Sequence, residues 1–319
     1  MTAPVAGSRK PALSVVLLTE TFPAIRDAVE HLRAQIDAAA IELVVGCPSE
    51  ERLSLPAGGL APLARVAIVE TPLLPAARAR AATVRAARAP VVVLSETHVF
   101  ADPAWAGRLL RAHEGPWVAV APGIGNANPE GALSWVGLLM DYGRFPPEGA
   151  SREVADVSSY NGAYKREALL DLGDRLESLL EPGSALYAEL RARGHRFLHE
   201  PAARIDHLNV SRPWPWLDER YLGGRLFGAT RRRAWSRPRT FLYAAGSPLV
   251  APLRLVRTLR VSRGGRELPR GFVPALALAC VVWAIGEFLG YVLGAGPAAE
   301  RRMLEYELHK ERYVGRVAA

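Results

Sequence analysis

Short apolar runs alternate with helical patterns over the first third of this 319-residue chain. Segments with apolar residues at helical spacing separate the runs, for example residues 24–38 and 76–88. Runs rich in β-branched residues and flanked by helices predict strands that are buried on both faces of a parallel sheet. The alternation is typical of a doubly wound α/β fold with right-handed crossovers. The predicted strands cover residues 13–18, 41–45, 65–69 and 91–94, and another begins at 118–121.

The fourth predicted strand ends in side chains that can bind a metal or a phosphate. Residues 91–94 are followed by Ser95, Glu96, Thr97 and His98. Open α/β sheets bind their ligands beyond the carboxyl ends of the strands. In extended backbone Glu96 and His98 point the same way, so both could meet one ion or one phosphate. The alternative is a strand end that carries ordinary solvated polar residues.

The composition indicates a large folded core and an anionic partner. Half of the residues are hydrophobic, which suits one large or two modest domains. Forty Lys and Arg residues face 32 acidic ones, and the arginine excess is concentrated between residues 204 and 270. Such a balance favours nucleotides, nucleic acid or an anionic membrane leaflet. The two cysteines form no disulfide or zinc pattern, and residues 1–12 do not resemble a signal peptide, so we expect the folded part in the cytoplasm.

The last third of the chain has a different character. A helix is predicted over 219–235 with a basic end, and the apolar segment 241–259 is broken by prolines and arginines, as in a segment lying in a membrane interface. Residues 272–293 are apolar over about the length that crosses a bilayer. Glu287 is costly in lipid, so we expect it near the interface or against protein. The alternative for 272–293 is a buried hairpin helix of a soluble domain.

The middle of the chain is less regular but carries several short motifs. Helices are predicted at 166–172 and 185–193, and short strands at 195–201 and 203–208. The motifs are Arg78-Ala79-Arg80, Asn126-Ala127-Asn128-Pro129, Tyr160-Asn161-Gly162-Ala163-Tyr164-Lys165-Arg166, Glu200-Pro201-Ala202, His207-Leu208-Asn209 and Gly286-Glu287-Phe288-Leu289-Gly290-Tyr291.

In their order these parts resemble the family 2 glycosyltransferases, which share the GT-A fold. The resemblance covers residues 13–209 and is greatest to a membrane-attached subgroup with Glu-Asp-His at the metal position, where this chain has Glu96-Thr97-His98. The chain departs from the family at three points. Gly46-Cys47 replaces the Asp pair that ends strand two, the Asp of the metal motif is missing, and Pro182-Gly183 stands in the Glu-Asp slot, with Glu181 as the nearest carboxylate.

The resemblance implies the site residues and the cofactor. A nucleotide-sugar donor would be held by Thr19, Glu20, Arg80, Glu96 and His98. Glu96, His98 and His207 would bind a divalent metal, Mn²⁺ or Mg²⁺, and a mixed Glu/His set suits Mn²⁺ better. Without a metal, cations such as Arg80 would neutralise the diphosphate. Glu181 would be the catalytic base, with Glu189 as runner-up, and Asn161 and Tyr164 would bind the acceptor.

Each of these residues also has an ordinary structural interpretation. His207 could be a hydrogen-bonded strand histidine, Glu181 a solvated loop residue, and Asn161 an asparagine that stabilises a turn.

The sequence thus predicts a GT-A domain over 1–210, a basic membrane-interface segment over 211–270, and a transmembrane or membrane-embedded helix with a basic tail over 271–319. The expected function is an inverting transfer of sugar to a lipid-linked or envelope glycan acceptor at the cytoplasmic face of the cell membrane. The partners would be the donor, the acceptor and membrane lipids. A catalytically degenerate GT-A scaffold that binds a nucleotide or a protein partner is the alternative. A nucleic-acid-binding protein is disfavoured, since only the charge suggests it.

Overall fold

A computed structural model describes residues 10–56, 59–183, 186–262 and 267–315 of the chain. The predictions for the first nine residues, for Ala185 and for the end of the basic tail lie outside the described residues. The chain forms two compact units. The first consists of Met1–Gly125, Phe145–Leu180 and Ala185–Asp206, and the second of Asn126–Arg144, Glu181–Ser184 and His207–Ala319.

The predicted strand–helix alternation is confirmed in the first unit. Its elements, in chain order, are β1 (Leu13–Leu18), α1 (Arg26–Arg33), β2 (Ile41–Cys47), α2 (Glu50–Leu53), β3 (Arg65–Glu70), α3 (Ala76–Ala86) and β4 (Val91–Leu94). Every residue of β1, β2 and β4 is buried, as expected of strands covered on both faces. The strands β1 to β4 pair in parallel, in the spatial order β3-β2-β1-β4.

The second half of the sheet is mixed. The elements that follow are β5 (Val99–Ala101), α4 (Trp105–His113), β6 (Trp117–Asn126), α5 (Ala132–Tyr142), β7 (Arg152–Val154), β8 (Ala163–Lys165), α6 (Arg166–Leu170), α7 (Arg175–Leu179), α8 (Leu186–Ala192) and β9 (Arg196–His207). The sheet continues from β4 in the order β8-β6-β9-β5, and β8 is antiparallel to both of its neighbours. The predicted mixed α/β class is therefore confirmed, in an arrangement consistent with a GT-A fold.

One strand prediction is wrong. The sequence predicts two short strands at residues 195–201 and 203–208, but β9 is a single strand that continues through Pro201 to His207. Gly123 on the neighbouring β6 explains the continuity, because a Cβ at this position would lie 2.5 Å from the carbonyl oxygen of Pro201. The missing side chain allows the two backbones to stay close where the proline offers no N–H donor.

The second unit ends in five helices. They are α9 (Pro213–Ala234), α10 (Arg237–Ala245), α11 (Val250–Ser262), α12 (Phe272–Leu293) and α13 (Pro297–Leu308). The predicted bounds of α12 are confirmed. Helix α9 begins before the predicted residue 219, because prolines in its first turn lack only an N–H that would have no partner there. The segment 241–259 folds into parts of α10 and α11.

Helices α9 and α12 pack through four glycines. A Cβ at Gly224 or Gly228 of α9 would overlap the carbonyl oxygen of Trp283 or Glu287, respectively. A Cβ at Gly286 or Gly290 of α12 would overlap the carbonyl oxygen of Tyr221 or Arg225, respectively. Four residues along α9 correspond to four along α12, so the helices run in the same direction. The motif that begins at Gly286 therefore has a structural basis.

Glu287, within this motif, is buried against protein rather than exposed. Its carboxylate accepts hydrogen bonds from Trp283 Nε1 at 3.1 Å and from the Tyr291 hydroxyl at 2.9 Å. Arg231 Nη1 lies 3.8 Å away, so the charge is paired as well. Within the part of the chain that the structure describes, α12 is the helix long and apolar enough to cross a membrane, with a mean hydropathy of 2.1.

Gly224→Ala tests the α9–α12 contact. The added methyl group must displace the backbone of α12, so we expect the free energy of unfolding to fall by about 1–3 kcal/mol. Thermal and denaturant unfolding of the full chain would measure it. Gly137→Ala is the matched control, because Gly137 is also a buried helical glycine and its Cβ would meet only ordinary contacts at 3.5 Å. Equal loss of stability in both variants would contradict the proposed packing.

Candidate metal and nucleotide site

The candidate site begins where β4 ends. After Leu94 the chain turns at Thr97 and His98 instead of continuing as extended backbone. The sequence predicts that the Glu96 and His98 side chains point the same way because both lie on extended backbone. The reason is wrong, since this backbone is not extended. The turn nevertheless brings them together, with His98 Nε2 3.9 Å from Glu96 Oε2. Both side chains are buried, so these are not ordinary solvated residues of a strand end.

Asn161 fixes the position of the Glu96 carboxylate. Its side-chain Nδ2 donates a hydrogen bond to Glu96 Oε2. Its backbone N–H donates to the Leu94 carbonyl at 2.6 Å. Asn161 has a φ of 59°, a left-handed conformation that asparagine adopts more readily than most residues. The residue predicted to bind the acceptor thus contacts the predicted metal ligand, and its acceptor role stays a prediction.

Tyr164 lies in the core of the sheet. It belongs to β8, is 1% exposed, and its hydroxyl donates to the Ser158 carbonyl at 2.6 Å. Burial raises the pKa of this hydroxyl, so it stays protonated at neutral pH. In this arrangement Tyr164 supports the loop before β8, and acceptor binding by its side chain stays a prediction.

His207, the last residue of β9, completes a cluster with Glu96 and His98. Each of the three residues offers one ligand atom, and these atoms all lie within 4.8 Å of one another. All three side chains are buried. The cluster contains one carboxylate and two imidazoles from two strand ends whose sequence separation exceeds one hundred residues. It matches the metal set that the family resemblance implies.

A network of amides orients His207. Its Nδ1 lies 2.9 Å from Asn209 Oδ1. The Nδ2 of Asn209 donates to Asn126 Oδ1 at 3.0 Å and to the His207 carbonyl at 3.0 Å, which fixes the amide with its oxygen towards the ring. The acceptor oxygen requires a proton on His207 Nδ1. Nε2 is then the nitrogen with which this ring would coordinate a metal.

Asn128 and Ser134 hold the network itself. Asn128 accepts the backbone N–H of Asn209 at 2.9 Å and returns a bond from its own Nδ2 to the Asn209 carbonyl at 2.9 Å. The Ser134 hydroxyl lies 2.9 Å from the side-chain oxygens of both Asn126 and Asn128. Sequence reasoning noted the Asn-x-Asn and His-x-Asn spacings but assigned these residues no role.

The His98 ring also has a hydrogen-bonding neighbour at its Nδ1. Its Nδ1 lies 3.2 Å from the Thr97 hydroxyl, while its Nε2 faces Glu96. Metal-binding histidines usually engage their second nitrogen in such a bond, which sets the tautomer and the ring orientation. Both imidazoles of the cluster therefore have a hydrogen-bonding neighbour at Nδ1, and the Thr97 hydroxyl can either donate to His98 or accept from it.

The residues predicted to hold the donor lie around the same sheet edge. Thr19 and Glu20 follow β1, which is the parallel neighbour of β4, so their loop shares an edge with Glu96. Thr19 is buried, and its hydroxyl donates to the Thr21 carbonyl at 2.8 Å. Glu20 is half-buried.

Arg80, the remaining donor-site candidate, is buried on α3 and paired with Tyr160. Its Nη1 donates to the Tyr160 hydroxyl at 3.0 Å, and its guanidinium lies 4.2 Å from the centre of that ring. Tyr160 directly precedes Asn161, which binds Glu96, so the cation is linked to the metal cluster through two adjacent residues. Tyr160 is thus a partner of Arg80 to which the sequence prediction gave no role.

The two candidate bases are both ion-paired. Glu181 accepts a hydrogen bond from Arg233 Nη2 at 2.5 Å and lies 3.4 Å from the Thr230 hydroxyl. Glu189 is bridged by Arg175 and Arg193, and these hydrogen bonds lower its pKa. A low pKa weakens a carboxylate as a proton acceptor, which disfavours Glu189. The assignment of the base to Glu181 stays a prediction.

Comparisons with known proteins give matches among solved structures alone. No family model matches the sequence, and no curated protein matches it. A mannosyltransferase from Pyrobaculum calidifontis, solved with GDP-Man and Mn²⁺, is 14% identical over 96% of this chain and 82% of its own, with a TM-score of 0.44. Residues 1–349 of S. aureus TarS, solved with UDP, are 15% identical over 88% of this chain and 91% of their own, with a TM-score of 0.45. These values are too low to transfer what those proteins bind to this chain.

Proposed function

We propose that this chain is a glycosyltransferase that moves a sugar from a nucleotide-activated donor to an acceptor hydroxyl. The buried cluster of Glu96, His98 and His207 carries the proposal, because it stands at the carboxyl edge of a parallel α/β sheet, where such folds bind their ligands. The family resemblance of residues 13–209 supports an inverting reaction of the family 2 type.

Transfer from a nucleoside diphosphate makes three demands on a protein. The leaving diphosphate must be neutralised, the acceptor hydroxyl must lose a proton, and both must be held in line. A divalent metal supplies the first by contacting diphosphate oxygens. Arg80 adds a buried cation near the same edge, and Asn161 keeps the Glu96 carboxylate in place.

The three candidate protein ligands favour some metal ions over others. Mg²⁺ prefers oxygen ligands, whereas Mn²⁺ also accepts imidazole. One carboxylate and two imidazoles would therefore favour Mn²⁺ over Mg²⁺. Zn²⁺ fits the same three protein ligands and is the competitor that a binding experiment must include.

On the acceptor side, Glu181 is our choice for the base. It would take the proton of the acceptor hydroxyl after exchanging its contact with Arg233. Asn161 and Tyr164 would position the acceptor. A lipid-linked or envelope glycan acceptor, reached at the cytoplasmic face of the cell membrane, fits the basic and apolar character of the C-terminal helices.

A degenerate scaffold that binds a nucleotide or a partner without catalysis is the second candidate. The slot of the family's Glu-Asp pair is occupied by Pro182 and Gly183, and the Glu181 carboxylate is held by an arginine. These two observations favour a site that has lost its base while the metal cluster persists.

The metal site can be tested by titrating the purified chain with Mn²⁺, Mg²⁺ and Zn²⁺ in a calorimeter. We expect Mn²⁺ to bind at least tenfold more tightly than Mg²⁺. Glu96→Gln should weaken Mn²⁺ binding by more than tenfold because it removes the anionic ligand. Asn209→Ala should weaken it by roughly 10- to 100-fold by releasing His207, as for other outer-shell partners of metal ligands. Glu153→Gln is the control, because this exposed carboxylate pairs with Arg196. Unchanged affinity in both site variants would contradict the metal site.

Catalysis can be tested with a panel of nucleotide sugars, Mn²⁺ and a membrane extract that supplies acceptors. The enzyme should release a nucleoside diphosphate from at least one donor, and Glu96→Gln should reduce this rate by a factor of 100 or more. Glu181→Gln should lower kcat by a similar factor and leave Mn²⁺ affinity unchanged, since a base acts on the acceptor. Glu153→Gln should keep full activity. Nucleotide binding without turnover of any donor would support the scaffold instead.

A further inference from the structure

The C-terminal unit carries a long stretch of positive charge without acidic residues. Residues 220–266 contain twelve arginines and no Asp, Glu or Lys. Trp235 lies within this stretch. The centre of its ring is 4.0 Å from the Arg239 guanidinium carbon and 4.7 Å from the centre of the Tyr243 ring. Arginine with Trp and Tyr is the composition of a protein surface at lipid headgroups.

Large apolar side chains are exposed on the same helices. Phe241 of α10 is 77% exposed, and Leu253 and Val256 of α11 are 68% and 46% exposed. Arg257 and Arg260 are exposed on α11 beside them. Exposed leucines and phenylalanines next to arginines produce a surface that is apolar at its centre and cationic around it.

Helix α12 has one continuous exposed apolar face, which we name the α12 stripe. Its residues recur at alternating intervals of three and four, so they lie on one side of the helix. The stripe is about 21 Å long at 1.5 Å per residue. It consists of Leu278, Val281, Ile285, Phe288 and Val292, each between 41% and 51% exposed. A soluble surface rarely exposes so long a row of large apolar side chains.

The opposite face of α12 packs on a charged helix. Its glycines contact α9, and Arg225 of α9 lies at the level of Gly286 and Gly290. Six residues before Arg225 on α9, the buried Glu219 binds Arg220 at 2.8 Å and Lys310 at 3.3 Å. Burial by itself would raise the pKa of Glu219, but the two cations lower it to about 2, so the group is charged.

Helix α13 packs on α9 and adds further charges. Its Tyr306 hydroxyl donates to Asp218 of α9 at 2.8 Å, and Arg302 pairs with the same carboxylate at 2.5 Å. If α12 crossed a bilayer, Asp218, Glu219 and Arg225 of α9 would be carried with it to the depth of the hydrocarbon, together with the partners of Asp218 on α13. Charged side chains at that depth are costly. The unit therefore has one apolar side and one charged side, which suits a protein that lies on a single leaflet.

We propose that the second unit binds the surface of an anionic bilayer, with α10 and α11 among the headgroups and the α12 stripe in the hydrocarbon boundary of one leaflet, so that α12 does not cross the membrane. This goes beyond the proposed sugar transfer, and it concerns surfaces outside the metal cluster.

Vesicle binding tests the surface. The full chain should co-sediment with vesicles of phosphatidylcholine containing 30% phosphatidylglycerol, and binding should be at least tenfold weaker to pure phosphatidylcholine or at 1 M NaCl. Replacing Ile285 and Phe288 together with serine should weaken binding by at least tenfold while Mn²⁺ affinity and the unfolding temperature are retained. Ile36→Ser is the matched control, because Ile36 is 77% exposed on the first unit.

Thiol labelling distinguishes one leaflet from a span. Cys47 and Cys280 are buried and would be replaced by alanine, and single cysteines would be placed at the exposed positions Arg270 and Ala298 that flank α12. In sealed inside-out and right-side-out membrane vesicles, a membrane-impermeant thiol reagent should label both cysteines from the cytoplasmic side. Labelling of the two positions from opposite sides would show a span and overturn the proposal.

The proposal would also be overturned if the chain did not bind anionic vesicles but formed a dimer that Ile285→Ser and Phe288→Ser dissociate. The α12 stripe would then be an interface between copies of the chain. None of these measurements uses a sugar donor, so their failure and the failure of the glycosyltransferase proposal can be told apart.

Discussion

The parallel pairing of β1 with β4 is the constraint on which the candidate site depends. Val16 of β1 pairs with Leu94 of β4, and the backbone N–H of Ser95 donates to the Val16 carbonyl at 3.0 Å. Both strands therefore end at one edge, and the loops that contain Thr19 and Glu96 leave the sheet side by side. Antiparallel β8 pairs with β4 on its other side and brings Asn161 to the same edge, where it holds the Glu96 carboxylate. The pairing of these three strands thus positions Thr19, Glu96 and Asn161 at one edge of the sheet.

The third member of the cluster depends on a different interaction. His207 enters at the end of β9, and its ring is fixed by Asn209, which Asn126 and Asn128 hold in turn. Asn128 and Asn209 each use their side-chain oxygen and nitrogen in different bonds, whereas Asn126 accepts bonds through its oxygen only. Buried polar networks of this kind are stabilising when their members are satisfied and costly otherwise. The network thus holds the His207 imidazole in the tautomer with a proton on Nδ1.

Local patterns predicted the first half of the fold well, because β1 to β4 are buried runs with helices between them. The bounds of α12 also followed from sequence, since its apolar run is uninterrupted. The grouping of His207 with Glu96 and His98 as candidate metal ligands could be expected only from the family resemblance, because no local rule relates two strand ends across so many residues. Asn209 and Tyr160 were visible in motifs, yet their roles depend on hydrogen bonds that only the fold creates. The unbroken β9 was missed because Gly123, which makes room for Pro201, lies on another strand.

Glycine explains how the apolar helix α12 and the charged helix α9 can pack closely in the second unit. At Gly224 and Gly228 the backbone of α9 meets that of α12 without side chains between them. Beside this contact, Asp218 of α9 binds Tyr306 and Arg302 of α13. The close approach of the two backbones also leaves Glu287 of α12 close enough to pair with Arg231 of α9. A larger residue at these positions would push the two backbones apart and weaken the pairing of Glu287 with Arg231, so the contact between the apolar helix and the charged helix depends on the same four glycines.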